Sequence, residues 1–246
     1  MSFMLGASLS HARIPDFESR FYFPLKETKD LSFEINSSLI GEILQLENKK
    51  GEYSVKAYKY KDLTDISLSY SNEEMLGIHK TLQALYLLKA QIVWGIDLSS
   101  WLVTHKFVQE QDGWFVYHDP TGILKSREIK IKFIQNKLMI LENRNYGLAK
   151  TTYYFSSEKW AKQKLVLKEV ERETTEGDER TKTESKIIYK KINKVGFLPV
   201  EVRTEVTQTL DTKKSKTIKR NFTEVHKFGK YAINTGKAKK WFVEHN

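Results

Sequence analysis

The sequence predicts an α+β fold: a strongly curved antiparallel sheet, an unclosed half-barrel, with one main helix on its concave face. Three observations predict it. Apolar and polar residues alternate over many short segments, which is typical of antiparallel strands with one buried face. Only one segment, 71–94, has apolar residues at clear helical spacing. No linker rich in proline and glycine divides the 246 residues, so we expect a single domain over residues 13–246.

The predicted helix begins at Ser71 and ends at Gly95. Ser71 and Glu74 have the spacing of a capping box, in which two side chains satisfy free backbone N–H groups. Glycine is the usual residue at a helix end. Apolar residues then recur on one side, which we expect to pack against the sheet; they are Met75, Ile78, Leu82, Leu85, Tyr86 and Val93.

Strands account for most of the remaining chain. Residues 104–118 predict a hairpin, because Asp112-Gly113 suits a tight turn with positive φ angles. Residues 128–143 predict a second hairpin. The other predicted strands are 51–60, 65–71, 151–155, 164–173, 186–192, 199–210, 216–228 and 230–234. The polar segments 173–185 and 211–216 are predicted as connections, the first long enough to be a mobile hairpin loop.

The segment "GFLPVEVRTEV", 196–206, combines a regular strand with residues that disfavour one. Val200, Val202, Thr204 and Val206 alternate with charged residues and predict one buried face. Gly196 and Pro199 precede them, and proline cannot donate to a sheet ladder. We therefore expect the start of this strand to lie at an edge or a sharp bend.

Composition excludes several classes of function. The chain has no cysteine, which excludes disulfides, thiolate zinc sites and cysteine nucleophiles. None of its six histidines has metal-ligand spacing, and there is no nucleophile elbow, phosphate loop or dinucleotide-binding motif. We expect a protein that is not an enzyme and that needs no cofactor or metal.

The N-terminus predicts export. Residues 1–12 are short, apolar and rich in small residues, and "SHA" at 10–12 is similar to a signal-peptide cleavage site. We interpret them as a signal-peptide remnant that lacks its usual basic start, and we expect a periplasmic protein. The alternatives are an ordinary frayed N-terminus and a cytoplasmic location. No apolar run reaches the about 18 residues that a membrane-spanning helix needs.

A curved sheet closed by one amphipathic helix has an interior that suits a hydrophobic ligand. The alternative for each candidate residue is plain core packing. The candidates are Ile78, Leu82 and Leu85 of the helix, Trp114, Val116, Ile129, Ile131 and Phe133 of the two hairpins, and Val200 and Val202 of the proline-led strand.

A second hypothesis is a basic β-rich module that binds nucleic acid or a protein partner. The net charge is +10, and lysines are concentrated in the C-terminal third. Aromatic residues lie between them, as stacking platforms would: Phe222, Phe228, Tyr231 and Trp241. Strand alternation assigns most of these rings to the core instead, and no common nucleic-acid-binding motif is present.

Three segments together resemble the LolA-like family of periplasmic lipoprotein carriers. They are "DGWFVYHDPTG" (112–122), "IKIKFIQNKLMIL" (129–141) and "KINKVGFLPVEVRTEV" (191–206), followed by a strand that ends in "FGKYAINTGKA" (228–238). The resemblance covers the last two thirds of the chain. It implies a helix-covered half-barrel that binds a lipid or the acyl chain of a lipoprotein, and export to the periplasm. Independently of the resemblance, the lysines of the C-terminal third are expected to attract an anionic membrane surface. The chain departs from the family in having one predicted covering helix.

Overall fold

The computed structural model describes residues 21–38, 53–70, 86, 89–95, 106–118, 128–134, 138–145, 149–193, 195–211 and 217–245. Within them, twelve strands and a C-terminal helix are defined. They are β1 Asp30–Ser37, β2 Tyr53–Tyr60, β3 Leu63–Tyr70, β4 Lys106–Gln111, β5 Trp114–His118, β6 Glu128–Ile134, β7 Leu138–Asn145, β8 Ala149–Ser157, β9 Leu165–Glu176, β10 Glu179–Ile192, β11 Gly196–Asp211, β12 Thr217–Ile233 and α1 Lys237–His245.

All twelve strands form one antiparallel sheet. Its order is β3-β2-β1-β12-β11-β10-β9-β8-β7-β6-β5-β4, so β4 to β12 form a meander and β1 to β3 join it beside β12. The edge strands β3 and β4 do not pair with each other, and the sheet is therefore open. The prediction of an unclosed antiparallel sheet is confirmed.

The first predicted hairpin is confirmed at its turn. Asp112 has φ +52° and Gly113 has φ +75°, the left-handed angles that a two-residue turn between twisted strands requires. The second hairpin is confirmed as β6 and β7, while its turn, 135–137, lies outside the described residues.

The prediction of a long loop at 173–185 is wrong. β9 runs to Glu176, β10 starts at Glu179, and only Gly177 and Asp178 lie between them. This two-stranded ribbon is polar on both faces. Its sequence therefore lacks the alternation of apolar and polar residues from which strands are predicted. Cross-strand pairs stabilise it instead, including Glu173 opposite Lys182.

The covering segment is the helical stretch 89–94 together with Tyr86, which is also helical. Gly95 ends the helix as predicted: its φ is +101° and its N–H donates to the Gln91 carbonyl at 2.9 Å. The predicted start at Ser71 lies outside the described residues. Those that are described pack on the sheet, since the Trp94 ring lies 6.0 Å from the Phe33 ring.

Three elements were not predicted: β1, α1 and a short 3-10 helix at Lys159–Ala161. β12 is one strand where two were predicted. α1 is short, and the predicted final strand 230–234 is the end of β12. The Asp30 carboxylate of β1 accepts the N–H groups of Gly236, Ala238 and Lys239 and so caps α1 from a distant strand. Because the cap comes from another element, the local sequence contains no start signal for this helix.

Pro199 lies in a central strand, but at a place where its missing N–H is harmless. The β11–β12 ladder begins at Glu201, beyond Pro199. The Pro199 carbonyl accepts a hydrogen bond from the Tyr231 hydroxyl of β12, so the proline nitrogen also faces the unladdered gap on that side. Val200 is the extra residue of a β-bulge, because Ile188 faces Glu201 and Tyr189 faces Pro199. The predicted bend is therefore present, while the edge alternative is wrong.

Tyrosine hydroxyls replace the missing ladder bonds at this end of the β10–β11 hairpin. Tyr189 donates to the Leu167 carbonyl at 3.0 Å, and Tyr22 both donates to the Phe197 carbonyl and accepts its N–H. Burial raises the pKa of Tyr189 and Tyr231, which keeps these hydroxyls protonated and able to donate. Where the hairpin separates from β9 and β12, tyrosine hydroxyls thus satisfy the carbonyls of Leu167, Phe197 and Pro199.

One apolar layer lies between the covering segment and the sheet. It extends from Ile66 of β3 to Tyr117 of β5 as a single contact cluster. We call it the apolar layer; its sheet members include Leu31, Phe33, Ile35, Val55, Ala57, Ile129, Ile131, Phe155, Leu167, Ile187, Val202 and Phe228, and its helical members are Tyr86, Ala90, Ile92, Val93 and Trp94.

Candidate ligand site beneath the covering segment

A polar cluster interrupts the apolar layer directly under the covering segment. Lys89 reaches down from the helix, and its Nζ donates to Thr204 Oγ1 of β11 at 3.0 Å. Next to it, the Tyr86 ring lies 6.0 Å from the His226 ring of β12. The cluster thus joins the covering segment to two central strands.

Strand register places the other members of the cluster in one row. Ser185 faces Thr204, and Thr204 faces Glu224. Ser185 Oγ and Thr204 Oγ1 lie 2.9 Å apart, and these two residues are only 6% and 1% exposed. Hydroxyl groups at this depth need partners, and each here has one.

His226 is fully buried and leaves one ring nitrogen without a partner. Its Nε2 lies 3.3 Å from Glu224 Oε2, an arrangement in which Nε2–H donates to the carboxylate. Nδ1 is then an acceptor, and no described residue donates to it. An orphan buried acceptor costs free energy in the empty protein, and a ligand that donates to it recovers that cost.

The ionisable groups of the cluster differ in the direction of their pKa shifts and therefore in their charge. Burial lowers the pKa of His226, which favours the neutral imidazole although the Glu224 hydrogen bond opposes this shift. Burial raises the pKa of Glu224, but the His226 hydrogen bond and the Lys89 charge outweigh it, so the net shift is downward. Glu224 therefore stays ionised beside a neutral histidine.

Lys89 is the unusual member. Burial lowers the pKa of its amine, while the Glu224 charge raises it and the Arg172 charge lowers it further. An ammonium has three donors, and Thr204 uses one of them. Within the described part of the chain no carboxylate forms an ion pair with Lys89, so the amine retains capacity for an acidic ligand group.

Three of the predicted ligand-contacting residues are in the surrounding apolar layer. Ile129 and Ile131 are 1% exposed, and Val202 is 0% exposed. Val202 lies opposite His226, which places it next to the polar cluster. For these three, the predicted face of the sheet is the one that meets the covering segment.

In the first hairpin, β4–β5, the residues that share a sheet face with Ile129 and Ile131 are not the predicted ones. Phe115 faces Ile131 and Tyr117 faces Ile129, whereas Trp114 and Val116 face Lys132 and Lys130. Side chains directly opposite each other share a sheet face, so Trp114 and Val116 lie on the other face from Ile129 and Ile131. Val116 is buried there, and Lys132 Nζ lies 5.3 Å from the Trp114 ring.

The remaining candidates are half-buried or undescribed. Val200 is half-buried because it is the bulged residue of β11. The backbone of Phe133 is part of β6, but its side chain lies outside the described residues, as do Ile78, Leu82 and Leu85.

The sequence contains an indication of the polar cluster, but the alternation of apolar and polar residues alone does not identify it. Phe222, Glu224, His226 and Phe228 alternate along β12, so a glutamate and a histidine share a face with two phenylalanines. Thr204 likewise stands among valines on the buried face of β11. Lys89 gave no comparable signal, because lysine is common in exposed helices.

Two of the four aromatic residues named for the C-terminal third, Phe228 and Trp241, are engaged within the protein. Phe228 is 5% exposed, and the Trp241 ring is stacked on Tyr58 with 4.6 Å between centroids. The described residues contain no group of three or more histidines and carboxylates placed to hold a metal ion.

Comparison with protein-family models, with curated proteins and with solved structures finds no match to this chain. In the part of the chain that the structure describes, no helix combines the length and hydropathy needed to span a bilayer. The candidate site therefore rests on its own geometry.

Proposed function

We propose that this protein binds an amphipathic ligand with an acidic group, such as a fatty acid or another acyl lipid, without catalysis. The acyl chain lies in the apolar layer beneath the covering segment. The acidic group of the ligand binds the Lys89 amine. If the acid is protonated, or if the ligand carries a hydroxyl group there, its O–H donates a hydrogen bond to His226 Nδ1. The observation that carries the proposal is the Lys89 amine, half-buried against the apolar layer, for which Thr204 is the one hydrogen-bond partner within the described residues.

The energetics favour such a ligand over a filled core. Burying a lysine is costly unless an anion compensates it. A carboxylate or phosphate provides that anion, and each CH₂ of the attached chain contributes about 0.8 kcal/mol when it leaves water. The Glu224 charge compensates the Lys89 amine in part, and the anion of a bound ligand adds to that compensation.

Entry requires the covering segment to shift away from the sheet. We propose that it acts as a lid and that the sheet is curved into a half-barrel over residues 13–246. The open edges at β3 and β4 support this idea, because a closed barrel has no side from which an apolar face can be reached.

A LolA-like role in the periplasm is part of this proposal. The resemblance of 112–122, 129–141 and 191–206 supports it, together with the signal-like residues 1–12. An antiparallel sheet with one apolar face and a helix on that face is what the family resemblance implies. The ligand would then be a lipid or the acyl group of a lipoprotein.

A fluorescent fatty acid titrated into delipidated protein tests the function. We expect saturable binding by the wild-type chain and weaker binding by Lys89→Met, by about tenfold to a hundredfold, since a buried charge-assisted hydrogen bond is lost. Methionine keeps most of the side-chain volume, and thermal melting verifies that the variant is folded.

Lys186→Met is the matched control, because Lys186 is an exposed residue of β10. It should bind like the wild type. Absence of saturable uptake by the wild-type protein, or equal affinity of Lys89→Met and wild type, would contradict the proposal.

A further inference from the structure

A second candidate site lies in a groove between the C-terminal helix and the sheet. Its volume is about 390 Å³, and β1, β2, β12 and α1 all contribute to it. Glu34, Lys56 and Tyr58 line it, while Ala57, which alternates with Lys56 and Tyr58, belongs to the apolar layer, as does Phe33, which also borders the groove. The groove is therefore on the opposite side of the sheet from Lys89.

The lining of the groove carries more positive than negative charge. Four lysines line it, and two of them have carboxylate partners: Lys230 lies 2.9 Å from Glu34, and Lys240 lies 3.6 Å from Glu244. The other two, Lys56 and Lys237, form no ion pair among the described residues. Two ammonium groups are thus left to attract an anion.

The backbone at Lys230 is shaped to place its ammonium there. Lys230 has φ +50°, a left-handed conformation that is uncommon for lysine. It occurs at a bulge, where Lys230 and Tyr231 of β12 face the single residue Phe33 of β1. The strained residue turns a side chain of a central strand toward the groove.

Neutral donors and a fixed aromatic wall complete the groove. Burial raises the pKa of Tyr58, as do the charges of Asp65 and Glu34, so its hydroxyl stays protonated and available as a donor. Trp241 is held by its Nε1–H, which donates to Asp65 Oδ2 at 2.9 Å, and by stacking on Tyr58.

The amides at the start of α1 are not the anion site. The Asp30 carboxylate already accepts three of them, from Gly236, Ala238 and Lys239. Anion binding in the groove therefore depends on lysine side chains, which attract a phosphate as point charges.

We propose that this groove binds the phosphate group of a phosphate ester. The two ammoniums of Lys56 and Lys237 supply the charge, Tyr58 supplies a neutral donor, and the volume suits a group the size of a phospholipid headgroup. The site is on the other face from the acyl site and does not depend on it.

Two binding measurements distinguish the sources of the phosphate. The first is co-sedimentation with vesicles of phosphatidylglycerol and phosphatidylcholine, against phosphatidylcholine alone. The second is calorimetric titration with glycerol 3-phosphate. We expect the Lys56→Gln/Lys237→Gln protein to bind about 25-fold more weakly, about fivefold for each lysine, in whichever measurement the wild type shows binding.

The matched control removes the same charge elsewhere. Lys186→Gln/Lys190→Gln changes two exposed lysines of β10 and should alter binding by about twofold or less at moderate salt. Lys56→Arg/Lys237→Arg keeps the charge and should retain binding, and thermal melting verifies that all variants are folded.

Binding to vesicles only identifies a lipid headgroup, and binding to both vesicles and glycerol 3-phosphate identifies the phosphate ester itself. Equal weakening by the control pair, or no binding in either measurement, overturns the proposal.

Discussion

At the scale of single residues, burial of polar groups is the most informative property of this chain. The Ser185–Thr204 hydroxyl pair satisfies itself, whereas Lys89 and His226 keep unused capacity in an apolar setting. Side chains of this kind destabilise a fold that has no ligand for them. They mark the candidate site more specifically than the surrounding leucines, isoleucines and valines do.

The buried His226 predicts a pH-dependent stability. Its pKa in the folded protein is below the ordinary 6.5, so between those values the unfolded chain binds more protons. By linkage, the free energy of unfolding rises with pH across this window and falls on acidification, by up to about 1.4 kcal/mol per pH unit. The charges near His226 are Glu224 on β12 and Lys89 on the covering segment, with Arg172 of β9 acting on Lys89.

Urea unfolding between pH 5 and 7.5 measures this effect. His226→Gln keeps a donor for Glu224 and removes the titrating group, so its stability should vary less with pH than that of the wild type. His245→Gln changes an exposed histidine of α1 and should retain the wild-type slope. Equal slopes for wild type and His226→Gln would remove His226 as the cause.

Elements were predictable where local chemistry determines them. The Asp112-Gly113 turn fixed the β4–β5 hairpin, and Gly95 fixed a helix end, because both need positive φ angles. The β9–β10 ribbon and α1 were missed for the opposite reason. The ribbon has polar residues on both faces, and the cap of α1 comes from Asp30, more than two hundred positions away in the sequence.

The left-handed backbone of the Asp112-Gly113 turn makes Gly113 sensitive to substitution. Gly113→Ala should destabilise the protein by about 1–2 kcal/mol, because a side chain disfavours left-handed backbone. The nearest atom to an added Cβ is Lys132 Cε at 3.8 Å, so backbone strain is the only penalty.

Gly229→Ala provides the comparison. Gly229 in β12 has ordinary backbone angles and open space around the added Cβ, so the change should be neutral or slightly stabilising. Chemical denaturation of both variants measures the difference, and a Gly113→Ala protein as stable as Gly229→Ala would refute the turn assignment.

For the whole molecule, the sequence predicted strands but not all of their partners. Alternation identifies the buried face of a strand and leaves its neighbours open. The pairing of β1 with β12 joins the two ends of the described chain, and no local signal indicates it. The same limit affected the site, because Trp114 and Val116 were assigned to the face that register gives to Phe115 and Tyr117.

The start of β11, which contains Pro199 and the bulge, also concerns how strands are joined in the sheet. Gly196 and Pro199 correctly indicated a bend, and the structure shows what the bend achieves: the hairpin end leaves its neighbours and is held by tyrosine hydroxyls. The buried side of the regular strand carries Val202 and Thr204, and Lys89 donates a hydrogen bond to Thr204 there.

Photo-crosslinking with a diazirine-bearing fatty acid, mapped by mass spectrometry of the labelled peptides, locates the ligand site on the protein. We predict saturable labelling of β11, β12 and residues 89–94 that unlabelled fatty acid competes away and Lys89→Met reduces. Labelling that does not saturate, or that is confined to α1 and the exposed β9–β10 ribbon, would contradict a ligand site beneath the covering segment.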